Sequence, residues 1–504
     1  MSTELYDAAP GGTPCSKPRS SDARRARRTT RNREPVLRVG LLTVQYELRN
    51  ADFPVVLVLA GNDRFGCEEV TNLLHEWMDP RYIEANIFEA PSEEELDRPQ
   101  FWRYWRTLPA KGRIGIYHHE WTTRAILDRL REKADDAALE ERLRHIESFE
   151  SALVADGAVV LKFWLHIPRK ALAARLAAAE KKANSSWKVT KSDRLILRNY
   201  ERLQEVTEAV LRRTSVGEAL WNVIESADAR YRDVTVAQIL MRTLTLRLAE
   251  APRKRSQAPR PTPGPNTLTV LDRVDLDRKL EKDVYEEKLN RNWDKLAKLS
   301  RKLHRKDRSA VMVFEGWDAA GKGGVIRRLT KVMDAARYRV VPIAAPSQDE
   351  RAHHYLWRFW NRLPRAGHWT IFDRSWYGRV LVERLEGFAP EEEWRRAFGE
   401  INDFEEIVVD RGTLLLKFWI HISPEEQLRR FKAREEVPFK KYKITADDYR
   451  NRDRWNEYEL AADEMVQRTS THYARWHLVA GNDKRWARIQ VLKTVCRELE
   501  KALG

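Results

Sequence analysis

The chain has 504 residues, 42% of them hydrophobic, and a formal net charge of +16 at pH 7, enough apolar material for a sizeable core in more than one domain. No run of about 18 apolar residues occurs, which argues against a membrane-spanning helix. Cys15, Cys67 and Cys496 are too few and too scattered for a disulfide framework or a metal centre, so a reducing cytoplasm is the expected compartment. The charge calls for a polyanionic partner, and nucleic acid, nucleotides or another phosphate polymer would all satisfy it.

Residues 1–34 carry eight Lys or Arg against four Asp or Glu and read as a disordered basic tail. They lack the apolar stretch of a secretory signal, and their acids argue against a transit peptide. From there on the chain is written twice. At an offset of 255, Leu161-Lys162-Phe163-Trp164 returns as Leu416-Lys417-Phe418-Trp419, and Arg213-Thr214-Ser215 returns as Arg468-Thr469-Ser470. Trp102, Trp105, Leu108 and Pro109 return as Trp357, Trp360, Leu363 and Pro364. A single register without gaps over so long a stretch marks a tandem duplication. The first copy spans 35–250, a proline-rich linker 251–267, and the second copy 268–504.

The second copy opens on an amphipathic helix over 277–306, with Leu280, Tyr285, Leu289, Trp293, Leu296, Leu299 and Leu303 near helical spacing. Short apolar runs follow at 311–314, 369–372 and 414–422, alternating with helical segments. That alternation predicts βαβ units: in each copy a three-layer α/β/α domain with a parallel sheet, of the kind that P-loop kinases use.

Between the first of these strands and a helix starting near Gly323 lies Gly316-Trp317-Asp318-Ala319-Ala320-Gly321-Lys322-Gly323-Gly324. Glycine, four residues, glycine, lysine is the spacing of a phosphate-binding P-loop. The glycines let backbone N–H groups converge on an anion, the helix start adds its dipole, and the lysine reaches the outer phosphates. Ordinary P-loops place Ser or Thr after the lysine to hold Mg²⁺, and here Gly323 stands instead. Metal would then fall to carboxylates, and Asp318 and Asp373 are the candidates. Asp373 ends a strand, where ligands bind in open α/β sheets, and a helix N-cap is its other reading. Arg374 and Arg379 follow it and suit phosphate oxygens.

Further on, 434–455 is crowded with Lys440, Lys441, Lys443, Arg450, Arg452 and Arg454, either a solvated helix face or a basic lid over phosphates. The tryptophans Trp357, Trp360, Trp376, Trp419 and Trp476 have aromatic counterparts at the repeat offset and are read as core, not as a platform for nucleic acid. His353-His354 has no ligand spacing and is read as surface.

In the first copy the same positions hold Gly61, Asp63 and Gly66, but Cys67 replaces Lys322, while Glu68 and Glu69 replace Gly323 and Gly324. His118 and His119 stand for Asp373 and Arg374. With the lysine gone and acids at the helix start, the first copy is expected not to catalyse.

GWDAAGKGG, DRSWYGR and PFKKYKITADDYRNRDRW closely resemble the polyphosphate kinase 2 family, from about 270 to 500, and the first half resembles a degenerate copy. Two fused repeats with only the second intact look like its polyphosphate:AMP phosphotransferase subgroup. The resemblance implies Mg²⁺-dependent transfer of a terminal phosphoryl group from inorganic polyphosphate to a nucleotide, with AMP becoming ADP. It implies that Gly316, Ala319, Ala320, Gly321, Lys322, Gly323 and Gly324 hold phosphate. Asp318 and Asp373 would position metal and acceptor, with Arg374 and Arg379 on phosphate groups, and Lys440, Lys443 and Arg454 in a lid. An ATP-dependent kinase of a small acceptor and a basic nucleic-acid-binding protein with a relic P-loop are the competing readings. The acceptor choice and the subunit number, a homo-oligomer included, stay open.

Overall fold

The computed structural model of the chain describes residues 34–181, 189–215, 217–250, 268–436 and 446–504. Each repeat folds around its own five-stranded, wholly parallel sheet. The first contains β1 (Val55–Gly61), β2 (Ile83–Ile87), β3 (Ile114–His118), β4 (Val159–His166) and β5 (Trp221–Glu225) in the order β2-β3-β1-β4-β5. The second contains β6 (Ala310–Gly316), β7 (Tyr338–Pro342), β8 (Trp369–Asp373), β9 (Leu414–His421) and β10 (Trp476–Ala480) in the equivalent order β7-β8-β6-β9-β10. The middle strands β1 and β6 are apolar up to their carboxyl ends because helices cover both faces; Ala310 to Phe314 of β6 are wholly buried. β6 lies between β8 and β9, so the strand order reverses beside its carboxyl end. That crevice is where open α/β sheets take their ligands.

The helices needed below are α1 (Arg64–Trp77), α2 (Asp136–Ala155) and α3 (Arg169–Lys181) of the first repeat. Those of the second are α4 (Lys282–Arg305), α5 (Lys322–Thr330), α6 (Glu391–Asp410), α7 (Pro424–Glu435), α8 (Ala446–Asp453), α9 (Trp455–Thr469) and α10 (Lys484–Leu503). The helix expected over 277–306 is α4, and it turns Tyr285, Leu289, Leu296 and Leu303 into the core.

Each core is keyed by one buried ion pair. Lys417 on β9 donates to Glu405 of α6 at 2.7 Å, to the Tyr377 hydroxyl at 3.0 Å and to the Thr469 carbonyl at 2.6 Å. Trp376 donates its indole N–H to the same glutamate at 3.0 Å. The first repeat repeats the arrangement: Lys162 donates to Glu150 and to the Thr214 carbonyl, and Trp121 donates to Glu150 at 2.8 Å. Such a pair is tolerated only where further hydrogen bonds surround it, and the Lys417 ammonium finds three acceptors.

The two repeats pack on one another through equivalent surfaces. α2 lies against α6, its counterpart at the repeat offset, and Trp105 stacks on Trp360, also its counterpart, with centroids 5.7 Å apart and planes 12° from parallel. Arg144 pairs with Glu406 at 2.8 Å and Arg396 with Asp156 at 3.1 Å across this junction. The junction also corrects the reading of His353-His354 as surface. His354 is buried, its ring 5.2 Å from Trp105 of the other repeat and its Nε2 3.7 Å from Glu400. His353 stacks on Trp357 at 4.1 Å. The contact of His354 with Trp105 could not be seen from residues adjacent in sequence. Trp360, Trp376, Trp419 and Trp476 are buried as expected, and Trp357 packs partly buried against the same core.

Candidate active site

The phosphate loop sits at the carboxyl end of β6. Gly316 has φ +134°, and a Cβ there would land on the Ile420 carbonyl, so only glycine lets β6 stay flush with β9 while the chain turns away. Gly321 has φ +112° and precedes α5, whose first turn receives no side-chain cap. Its leading N–H groups therefore remain available to an anion. A Cβ on Gly323 would meet nothing within 4 Å, so the loop mouth is open there.

Lys322 folds back over the loop, its ammonium donating to the Gly316 carbonyl at 2.7 Å and the Trp317 carbonyl at 3.1 Å. Burial first, and then the Arg374 guanidinium, pull it below the ordinary lysine value. Arg430 of α7 holds the loop from behind. It donates to the carbonyls of Ala319 and Ala320 at 3.0 and 2.7 Å and to those of Gly481 and Asn482 at 2.6 and 2.9 Å. Trp317 stacks on Trp455 at 3.5 Å with planes 10° apart, and donates its indole N–H to His421 at 3.0 Å.

Asp318 meets Arg374 at 2.6 Å through one oxygen and receives Asn451 of α8 at 3.2 Å on the other. Burial pushes its carboxyl up, but Arg374 and Lys322 outweigh this and hold it below the usual carboxylate value. Arg374 reaches Asp318 because its backbone is left-handed, φ +65°, which is costly for a residue with a side chain. Asp373 ends β8 in register with Phe314. Its carboxylate makes no hydrogen bond or ion pair within the described residues, and the cap of the following turn is Ser375. Glu315, buried below the loop, accepts from Ser375 at 2.8 Å, and burial raises its carboxyl.

No group of three or more His, Cys, Asp or Glu among the described residues forms a metal cage. Two carboxylates, one of them unengaged, instead match the needs of Mg²⁺. That ion commonly binds through one or two carboxylates and completes its octahedron with phosphate oxygens and water.

Several expected residues are placed otherwise. Arg379 is held by Glu393 at 2.8 Å and Glu383 at 3.2 Å and lies over Tyr355. Arg454 is held by Glu386 and Glu457, both at 2.8 Å. Lys440 and Lys443 lie outside the described residues. Arg430, Asn451, Glu315 and Trp455 were not singled out by sequence, although Arg430 has one legible signal: its counterpart is Arg175, an arginine kept in both copies.

In the first repeat the equivalent loop is filled by its own side chains. Asp63 caps α1 by accepting from the Gly66 N–H at 3.1 Å, and it also accepts from Ser226 and Arg175. Glu69 takes Arg175 at 2.7 Å and the buried Arg232 at 2.8 Å, while Glu68 takes Arg64 at 2.5 Å. Cys67 is buried, and burial pushes its thiol far up, away from the reactive thiolate.

A model of one protein family, Polyphosphate kinase 2 (PPK2), matches residues 24–252 and again 279–503. The chain is a member of the polyphosphate kinase 2 family. Among its relatives is a protein of Pseudomonas aeruginosa named polyphosphate:AMP phosphotransferase, 47% identical over 92% of this chain and 95% of that one. A protein of the same name from Acinetobacter johnsonii is 36% identical over 93% of this chain and 96% of the relative. Among solved structures, one described as a polyphosphate kinase 2 from P. aeruginosa PA01 superposes with a TM-score of 0.84 at 44% identity. It covers 94% of this chain and 96% of its own. The family match spans both copies, so the duplication is of one polyphosphate kinase 2 unit.

Proposed function

We propose that the chain is a polyphosphate:AMP phosphotransferase: it moves the terminal phosphoryl group of inorganic polyphosphate to AMP, giving ADP and a chain shorter by one phosphate. The observation that carries this is the uncapped phosphate loop of the second repeat, with Lys322 and the Asp318–Arg374 pair at its mouth, in a chain whose full-length relatives bear that name. Catalysis belongs to the second repeat alone, because the first has filled its loop with Asp63, Glu68 and Glu69. No described helix is long and apolar enough to cross a membrane, and the cytoplasm is the proposed site of action.

In the reaction an oxygen of the AMP phosphate attacks the terminal phosphorus of the donor, and the bond to the next bridging oxygen breaks. The loop N–H groups and Lys322 neutralise the transferring phosphoryl and the departing chain, which is most of what such a transfer requires. Arg374 exchanges Asp318 for a phosphate oxygen when substrate arrives, which frees that carboxylate. Mg²⁺ would be held by Asp318 and Asp373 and supply further charge neutralisation to the phosphate oxygens. The acceptor phosphate is oriented by the same face of the loop, with Asn451 keeping Asp318 in place.

The deciding experiment mixes purified protein with long-chain polyphosphate, Mg²⁺ and AMP, without ATP, and follows nucleotides by anion-exchange chromatography. ADP is the expected product. No ADP, together with turnover of AMP by ATP, would overturn the donor assignment.

The depressed Lys322 gives a signed pH expectation. Its ammonium must be charged to bind the donor, so kcat/KM should fall on the alkaline side at a pH below the ordinary lysine value. The check is a kcat/KM profile for the wild type and for Lys322→Arg. Whatever activity the arginine variant keeps should lose that limb, since a guanidinium stays protonated throughout.

A further inference from the structure

Trp317 stands in the loop between Gly316 and Asp318, and the reaction steps above give its side chain no part. Its backbone carbonyl accepts the Ala320 N–H at 3.1 Å and the Lys322 ammonium at 3.1 Å. Where that carbonyl points therefore decides where the ammonium lies, and the next residue along the chain is Asp318. The Trp317 indole is 5% exposed and held on three sides. It lies face to face with Trp455, donates its N–H to Nδ1 of His421, and meets Trp419 edge-on with centroids 6.0 Å apart. Burial pushes the His421 imidazole down to about 4, so the nitrogen that faces the indole stays an acceptor at neutral pH. Trp455 opens α9, and Asn451 of α8, one helical turn earlier in the chain, donates to Asp318. The corner between α8 and α9 thus touches two successive loop residues, Trp317 through a ring and Asp318 through an amide.

The duplication supplies an internal control. At the constant offset, Trp317 becomes Asn62, Trp455 becomes Tyr200 and Asn451 becomes Ile196. Asn62 exchanges hydrogen bonds with the Ile167 backbone at 2.9 and 2.8 Å, and the Tyr200 hydroxyl donates to the same Ile167 carbonyl at 2.8 Å. No ring stack ties the first loop to the helix beyond it. Aromatic packing at large survives, because Trp376 and Trp419 are kept as Trp121 and Trp164, and His421 is kept as His166. The loop stack has gone together with the lysine whose direction it would set.

We propose that Trp317 and Trp455 are positioning residues for the transfer: their stack, anchored by His421, sets the loop so that the Lys322 ammonium and the Asp318 carboxylate face the transferring phosphoryl group. The inference rests on the reaction assigned above and adds to it the side chains that keep the loop in working geometry. Neither ring has to touch substrate. Positioning of this kind acts on the barrier more than on binding. A donor with many phosphates binds through charge that tolerates small displacements, whereas neutralising one group in flight does not.

The test measures kcat and both KM values for wild type, Trp317→Leu, Trp455→Leu, the double variant and Trp455→Phe, with Tyr200→Leu as the matched change in the first repeat. Direct binding of long-chain polyphosphate without AMP gives the number of competent sites in each. Either Leu change should lower kcat about thirtyfold or more, the scale on which a small misplacement of reacting groups is felt. KM for polyphosphate and AMP should stay within about threefold, and the binding stoichiometry should not change. Trp455→Phe keeps a ring on the stack and should hold kcat within about threefold of wild type. Because the two rings act as one unit, the double variant should lose far less than the product of the single losses. Tyr200→Leu should leave kcat within about twofold. Should the Leu variants not fold, His421→Leu decides with Trp455→Phe: it withdraws only the acceptor and should cost about fivefold in kcat. A Trp455→Leu enzyme as fast as wild type would overturn the positioning role. So would a Phe variant as slow as the Leu variant, a multiplicative double, an unaffected His421→Leu, or a loss of binding sites that matches the loss of kcat. A wild type that makes no ADP from polyphosphate and AMP would overturn the function reading and this inference with it.

Discussion

Lys322→Ala is expected to lower kcat by about 10³-fold or more, the scale on which removing a charge aimed at a transition state is felt. The ammonium already sits inside the loop, 2.7 Å from the Gly316 carbonyl, so the substitution removes charge without disturbing a packed surface. Cys67→Ala, the same position in the first repeat, should leave turnover within about twofold. That thiol is buried, its pKa is pushed up, and acids around it already occupy the loop. Steady-state rates for the two variants under one assay decide the matter. Equal losses from both would refute the claim that one half works.

The other large effect concerns folding. Glu405→Leu strands the buried Lys417 ammonium, and breaking such a pair from one side costs about 3–5 kcal/mol. Glu150→Leu should cost a similar amount, because Lys162 is equally buried and has the same two kinds of partner. Urea midpoints measure both. The double change Glu405→Leu/Lys417→Met should recover most of the loss, since it removes the uncompensated charge as well. If Glu150→Leu proved harmless while Glu405→Leu unfolded the chain, the first repeat would not be a load shared by the whole fold. Together the two experiments separate the roles: the first repeat is expected to be dispensable for chemistry at Cys67 and to be needed for stability at Glu150.

Much of this was legible in the sequence, because it depends on pattern along the chain. Apolar runs of strand length gave the parallel sheets, a single offset gave the duplication, and the glycine spacing placed the loop between β6 and α5. What escaped depends on contact across the chain. Arg430 lies more than a hundred residues from the loop carbonyls of Ala319 and Ala320 that it holds, and nothing in its neighbourhood announces them. Asn451 looked like one more polar residue in a charged stretch. Arg379 and Arg454 each have one glutamate partner within four residues, Glu383 and Glu457, but the second partners, Glu393 and Glu386, are brought up only by the fold. His354 looked exposed because the Trp105 ring that covers it belongs to the other repeat.

The meeting of Trp105 with Trp360 has a consequence of its own. A contact in which each partner offers the same residue is the geometry of a two-fold dimer. Here both partners are translated together on one polypeptide, so their pairing does not depend on how many molecules the cell holds. Separate chains joined by such a surface come apart on dilution; tethered ones meet at the millimolar local concentrations typical of short connections. Specific activity should therefore stay constant down to nanomolar enzyme. The second repeat alone keeps an open loop, while the first holds salt bridges where a phosphate would sit.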